Sequence, residues 1–145
     1  MLKKIKILFI IFIFLNFAKS IFSAENFFEQ GQQKYNEEKF DDSKFLFQRS
    51  IIFNPKDAKS YLYLSKIYKF EKNDKEEEKN INTALLLEPK NEEAIYILME
   101  IQLKKSNYLK VKELSKKFVN ICKNLCKKNK FILESLENLE PKNES

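Results

Sequence analysis

From Phe27 onward, blocks of apolar side chains at helical spacing alternate with short polar turns, and the blocks recur. Phe27, Phe28, Gly31 and Tyr35 predict one helix and Asn36-Glu37-Glu38-Lys39 a turn. Phe45, Phe47, Ile51 and Ile52 predict a second helix, with Asp41 where an N-cap belongs. Asn54-Pro55 closes the unit, because the residue before a proline is pushed out of the α region. The pattern is then written again. Pro55 and Pro89 stand 34 residues apart, and the same spacing joins Phe27 to Tyr61, Gly31 to Ser65, Phe47 to Ile81, Ser50 to Ala84 and Phe53 to Leu87.

In the second unit Asp57 is expected to cap a helix carrying Tyr61, Leu62, Leu64, Ile67 and Tyr68. Asp74 with Glu77 reads as a capping box ahead of Ile81, Ala84, Leu85 and Leu87. A third unit follows less faithfully. Asn91 precedes a helix with Ala94, Ile95, Leu98, Ile101 and Leu103, and Ser106-Asn107 makes the turn. Its partner runs through Tyr108, Val111, Leu114, Phe118, Ile121 and Leu125; Lys123 stands where the next proline would fall, so this helix is expected to continue to about Lys128. Residues 131–139 form a last amphipathic helix, the cap that the open end of a solenoid needs, and residues 141–145 form a polar tail.

A fixed period of this length is the signature of a helix–turn–helix solenoid. The run Phe27, Gly31, Tyr35, Phe40, Ser43, Phe47, Ser50 and Pro55, repeated in part from Tyr61 to Pro89, resembles the tetratricopeptide repeat (TPR). The resemblance covers residues 24–122. It implies an all-α, right-handed helix–turn–helix solenoid of about three repeats (24–57, 58–91 and 92–128), with residues 129–145 as capping helix and tail. In such repeats small residues let the two helices cross closely, and Gly31 and Ser50 stand where that is needed. Departures are visible. Glu77 occupies a position where a small residue is usual, read here as a loosened crossing or a charge leaning into solvent; Met99 and Phe118 also fill small-residue positions.

In TPR proteins the first helix of each repeat lines a concave groove for an extended peptide or a partner helix. By position, the resemblance implies a groove presenting Phe28, Gln32, Tyr35 and Asn36, then Leu62, Lys66, Lys69 and Phe70, then Tyr96, Glu100, Leu103 and Lys104. Phe28, Leu62 and Tyr96 have an equally plain reading as packing between adjacent helices. The subclass that clamps a C-terminal carboxylate with Lys and Asn is not matched, since the corresponding positions hold Phe28, Gln32, Tyr63, Glu93 and Ile97.

Ahead of the repeats, Met1 to Lys6 carries three lysines, and Ile7 to Ala18 is an apolar run of 12 broken only by Asn16. Small residues follow, with Ala18-Lys19-Ser20 and Phe22-Ser23-Ala24 as candidate cleavage sites. Together these describe residues 1–24 as a secretory signal peptide. A spanning helix wants about 20 apolar residues, but Lys19 could snorkel and extend the run, so an uncleaved anchor stays open. Either reading places the repeats outside the cytoplasm, in the periplasm or envelope of a bacterial cell.

Composition sharpens the picture in three places. One Gly and three Pro among 145 residues, with a third of them charged, suit helices. The net charge of +6 owes much to the leader: four lysines precede the first acidic residue, Glu25, and the remainder holds 23 basic against 21 acidic residues. What basic excess remains is local. Lys110, Lys112, Lys116, Lys117, Lys123, Lys127, Lys128 and Lys130 would stud one lysine-rich helix face, either simply solvated or meeting anionic lipid at about 1 kcal/mol per residue. Export argues against nucleic acid as a partner.

The chain has no His, and no phosphate loop or paired-carboxylate signature is visible. No catalysis, cofactor or metal is therefore expected. Cys122 and Cys126 are four apart; on an unbroken helix their Cβ atoms would stand about 5–6 Å apart against the 3.5–4.5 Å of a disulfide. Free thiols, a disulfide in a kinked helix and pairing with another protein all stay open. The sequence thus predicts an exported protein–protein interaction scaffold; the alternative is a membrane-anchored structural component using residues 1–24 and the lysine-rich face.

Overall fold

Three residues at the repeat period, Glu38, Lys72 and Ser106, take left-handed backbone, with φ of 58°, 56° and 56°. Each ends a helix in the same way. The following N–H reaches back to a carbonyl of the last turn, Lys39 to Lys34 at 2.9 Å, Asn73 to Tyr68 at 2.9 Å and Asn107 to Gln102 at 2.9 Å. This closure satisfies carbonyls a helix end leaves orphaned, and it usually falls to glycine because a side chain there costs about 1 kcal/mol or more. No glycine marks these turns, so their polar residues show where they lie in the sequence but not which residue turns left-handed.

The structure, a computed structural model, describes residues 26–139. Seven helices and no strand occur among the described residues: α1 (26–36), α2 (Phe40–Phe53), α3 (Ala58–Phe70), α4 (Asp74–Leu87), α5 (Glu92–Lys104), α6 (Tyr108–Ile121) and α7 (Cys126–Leu139). Successive helices pack on one another, and α5 also touches α7, as a helix–turn–helix solenoid requires. None is long and apolar enough to cross a membrane. The expected leader (1–24) and polar tail (141–145) lie outside the described residues.

The caps agree with the sequence in part. Asp57 and Asn91 accept from Lys59 N and Ala94 N as expected. The Asp57 carboxylate also gathers the hydroxyls of Ser50 (3.0 Å) and Ser60 (2.5 Å), tying the first unit to the second. Two expectations are corrected. Helix α2 starts at Phe40 behind Lys39, with no side-chain cap, so Asp41 lies in its first turn. For α4 the cap is Asn73, accepting from Glu76 N, and Asp74 is already helical.

Apolar burial divides into two clusters. The first is aromatic: Phe47, fully buried, with Leu64 and Ile67, flanked by Phe28, Tyr35, Phe40, Tyr63 and Tyr68. The second is aliphatic and spans α3 to α7 through Leu62, Ile81, Ile95, Met99, Val111, Phe118 and Ile132. A side chain as large as Phe47 contributes about 2–3 kcal/mol by leaving water. Gly31 makes its burial possible. A Cβ on Gly31 would lie 2.9 Å from Phe47 Cε1, and the Gly31 carbonyl accepts from Ser43 Oγ at 2.8 Å.

The C-terminal end departs most from expectation. Helix α6 stops at Ile121 instead of continuing toward Lys128, because Cys122 turns extended, with ψ 143°. Cys122 and Cys126 form a disulfide across this break, with Cα atoms 5.3 Å apart. Of the three readings the sequence left open, the disulfide in a kinked helix is the one that forms. A carboxylate holds the break open from the other side. Glu92 accepts from the backbone N–H of Lys123 at 2.7 Å, of Asn124 at 3.2 Å and of Leu125 at 3.3 Å. Those hydrogen bonds pull the Glu92 carboxyl below its usual range, the one from Lys123 most strongly. Ser115 Oγ donates to Asn129 Oδ1 at 2.8 Å and completes the docking of α7.

Candidate functional site

The first helices of the repeats, α1, α3 and α5, are joined by side chains that run from one to the next. Gln32 Nε2 on α1 donates to the Tyr63 hydroxyl on α3 at 2.7 Å. Tyr63 stacks on Phe47 at 4.9 Å between ring centres and meets the edges of Tyr35 (5.0 Å) and Phe28 (5.8 Å). Lys66 stands 4.6 Å from the Tyr63 ring centre and pairs with Glu93 on α5 at 2.6 Å. One turn on, Lys69 pairs with Glu100 at 2.9 Å, and Glu100 also accepts from the Tyr96 hydroxyl at 2.8 Å. Burial, seconded by that bond to Glu100, pushes the Tyr96 phenol up to about 12. Burial first, then Tyr63 and Glu93, raise Tyr35. Both phenols therefore act as neutral hydrogen-bonding groups at physiological pH.

Helix α7 extends this face. Between α5 and α7 lies a cleft of about 350 Å³ walled by Tyr96, Leu103, Phe131, Ile132 and Leu139, with Glu100, Lys104 and Ser135 at its polar edge. Lys128 on α7 sits 4.5 Å over the Tyr96 ring. A second, smaller pocket of about 190 Å³ lies beside it, where the α3–α4 turn faces α5; Glu100 and Lys104 border both. The face combines apolar walls, a few directed polar groups and internally paired charges. Among the described residues no group of three or more His, Cys, Asp or Glu could hold a metal.

Solved structures with the same arrangement of helices are TPR domains. The Arabidopsis OM64 TPR domain superposes with a TM-score of 0.73 at 15% identity, over 82% of this chain and 98% of that one. The TPR2B domain of yeast Sti1, solved in a pHsp70 complex, gives 0.72 at 14% identity over 82% and 99%. The second TPR domain of human RPAP3, solved with the HSP70 peptide SGPTIEEVD, gives 0.68 at 15% identity over 83% and 98%. The chain has the tetratricopeptide-repeat fold. No protein-family model and no curated protein sequence matches it.

Placed on the TPR frame, the predicted groove residues separate into three kinds. Phe28, Gln32, Tyr35, Lys66, Lys69, Tyr96, Glu100 and Leu103 are half-buried or join the cross-helix contacts, and Lys104 pairs with Asp74 at 2.6 Å. Asn36 and Phe70 are exposed beyond them, Phe70 stacked on Phe40 at 4.6 Å. Leu62 is different: it is buried in the aliphatic core and offers nothing to a ligand. Its neighbour Tyr63 takes that place, because one residue along a helix turns the side chain by about 100°. Phe131 was missed as well, since only the docking of α7 brings it opposite Tyr96. Glu77 corrects a third expectation. It is buried, at 6% exposure, and does not lean into solvent.

The lysine-rich face does not exist as one helix. The break at Cys122 separates Lys110, Lys112, Lys116 and Lys117 on α6 from Lys127, Lys128 and Lys130 on α7, with Lys123 between them. Lys110 pairs with Glu113 at 2.8 Å and Lys130 with Glu134 at 3.7 Å, while Lys128 turns to Tyr96.

Proposed function

We propose that this chain is a non-enzymatic protein-interaction scaffold of the cell envelope, holding an extended peptide or a partner helix on the face formed by α1, α3, α5 and α7. The observation that carries this reading is the apolar cleft between α5 and α7, which adjoins the polar contacts of Lys69, Tyr96 and Glu100. An apolar anchor entering beside directed hydrogen-bonding groups is how grooves hold peptide side chains. TPR domains of the same fold solved in a pHsp70 complex and with an HSP70 peptide support a peptide-binding role. A terminal-carboxylate ligand fits this chain poorly. Gln32 and Tyr63 are committed to each other, and Glu93, paired with Lys66, would repel an anion.

The test is site-specific photo-crosslinking in cells, with the crosslinking residue at Gln32, Ser135 or Lys116. A partner captured from Gln32 or Ser135 and not from Lys116 supports the groove. Capture from Lys116 alone moves the site to the outer face of α6 and overturns the reading. Sequencing the mature N-terminus decides between a released scaffold and an anchored one: a chain beginning after residue 20 or 24 in the envelope supports export with cleavage, and an intact Met1 in the membrane fraction supports the anchored alternative.

A further inference from the structure

The smaller pocket carries an unspent charge. Two ion pairs span it, Lys69 with Glu100 at 2.9 Å and Lys104 with Asp74 at 2.6 Å. Lys72 stands exposed at the rim, on the left-handed turn between α3 and α4. Glu77 lines the pocket at 6% exposure; its carboxylate makes neither a hydrogen bond nor an ion pair, and its oxygens keep contact with the solvent of the pocket. In the first repeat the same register position holds Ser43, whose hydroxyl is satisfied by the Gly31 carbonyl. A carboxylate so placed carries a desolvation cost that a serine does not. The surrounding charges do not offset it. Lys69 and Lys104 favour the ionised form, Asp74 and Glu100 oppose it, and burial outweighs them all and raises the Glu77 carboxyl.

A group that completes this pocket must bring positive charge and donors, and it must be slender enough to pass between two ion pairs. A ligand anion would meet Glu77 at the floor, whereas Lys72 at the rim is solvated and needs no counter-ion. We infer that the pocket receives an arginine or lysine side chain of the bound peptide, with Glu77 as its carboxylate acceptor. Because Glu100 and Lys104 border both cavities, that cation would enter next to the apolar residue held between α5 and α7. The peptide would then carry a basic residue near an apolar one. This inference rests on the reading of this face as the binding face and adds the chemistry of one subsite.

The probe is N-acetyl-arginine amide, titrated into the full chain in neutral detergent while the backbone amides of Glu77 and Ile101 are followed by nuclear magnetic resonance. Saturable shifts are expected, with no response to the uncharged N-acetyl-norleucine amide. Glu77→Gln should weaken binding by about tenfold or more, the loss expected of a charge-assisted hydrogen bond. Glu77→Ala restores the small residue usual at this crossing; it guards against misfolding and should lose binding equally. Undiminished binding in either variant, an equal response to norleucine amide, or no saturable shift overturns the inference. Crosslinking reports the whole face and the probe only this pocket, so the two readings can fail separately.

Discussion

The crossing of α1 with α2 and that of α5 with α6 occupy the same register and bury it with side chains of opposite size order. In the first repeat Gly31 is the small partner and Phe47 the large one, in direct contact. Two periods on, the equivalent positions hold Met99 and Ser115, both buried. The large side chain has moved to the first helix and the small one to the second. The middle repeat stands between them, with Ser65 opposite Ile81. What the fold conserves at each crossing is a summed volume, because interiors are packed to crystal density whichever helix supplies the atoms. A rule that watches one position reads Met99 as decay; the pair shows an exchange.

The largest expected effect comes from breaking that exchange. Met99→Ala leaves small residues on both sides, and should cost about 2–5 kcal/mol in chemical denaturation. Adding Ser115→Leu should recover part of the loss, whereas two additive losses would show that these positions do not share a volume. Next is Gly31→Ala. Its Cβ would press on Phe47, fully buried against Phe28 and Tyr63, and overpacking of this kind costs about 1–3 kcal/mol, partly offset by alanine's better helix propensity. A lower thermal midpoint, rescued by Phe47→Leu, is the outcome that fits.

Smaller effects separate the middle crossing from its neighbours. The Ser65 hydroxyl is buried without a hydrogen-bond partner, so Ser65→Ala should raise stability by about 1 kcal/mol. A loss of that size would mean that the hydroxyl is satisfied in solution. Glu77 gives the smallest signal, and its size depends on pH. Its carboxyl titrates higher in the folded chain than in the unfolded one. Folding therefore takes up a proton between the two values, and this contribution to stability falls as pH rises through that window. Glu77→Gln should then raise the thermal midpoint at neutral pH and leave it unchanged below the ordinary carboxylate range. A gain of equal size at both pH values would assign the effect to packing.

Much of the fold was legible because the period is carried by residues whose physics is local. Pro55 and Pro89 end helices, Asp57 and Asn91 cap them, and Gly31 permits a close approach, all from the sequence alone. The α6–α7 region was not legible. A disulfide between Cys122 and Cys126 was only one of three open readings because the helix pattern runs through them; the break is held by Glu92, about one repeat earlier in the chain. A tertiary cap of this kind has no local spacing to betray it. The candidate site divides along the same line. Phe28, Tyr35, Tyr96 and Glu100 followed from register, whereas Tyr63 in place of Leu62, Phe131 opposite Tyr96 and the burial of Glu77 depend on how neighbouring helices rotate and dock.

By itself, then, the sequence determined the helical repeat, its 34-residue period and the helix faces turned inward, because periodicity, capping and proline act within a turn or two of the chain. The tertiary structure alone decided which side chain at each crossing is the large one, where α6 ends, and which carboxylate is left facing a pocket without a partner. Those outcomes are set by volume and charge summed over residues far apart in the chain, and such sums exist only once the helices have met.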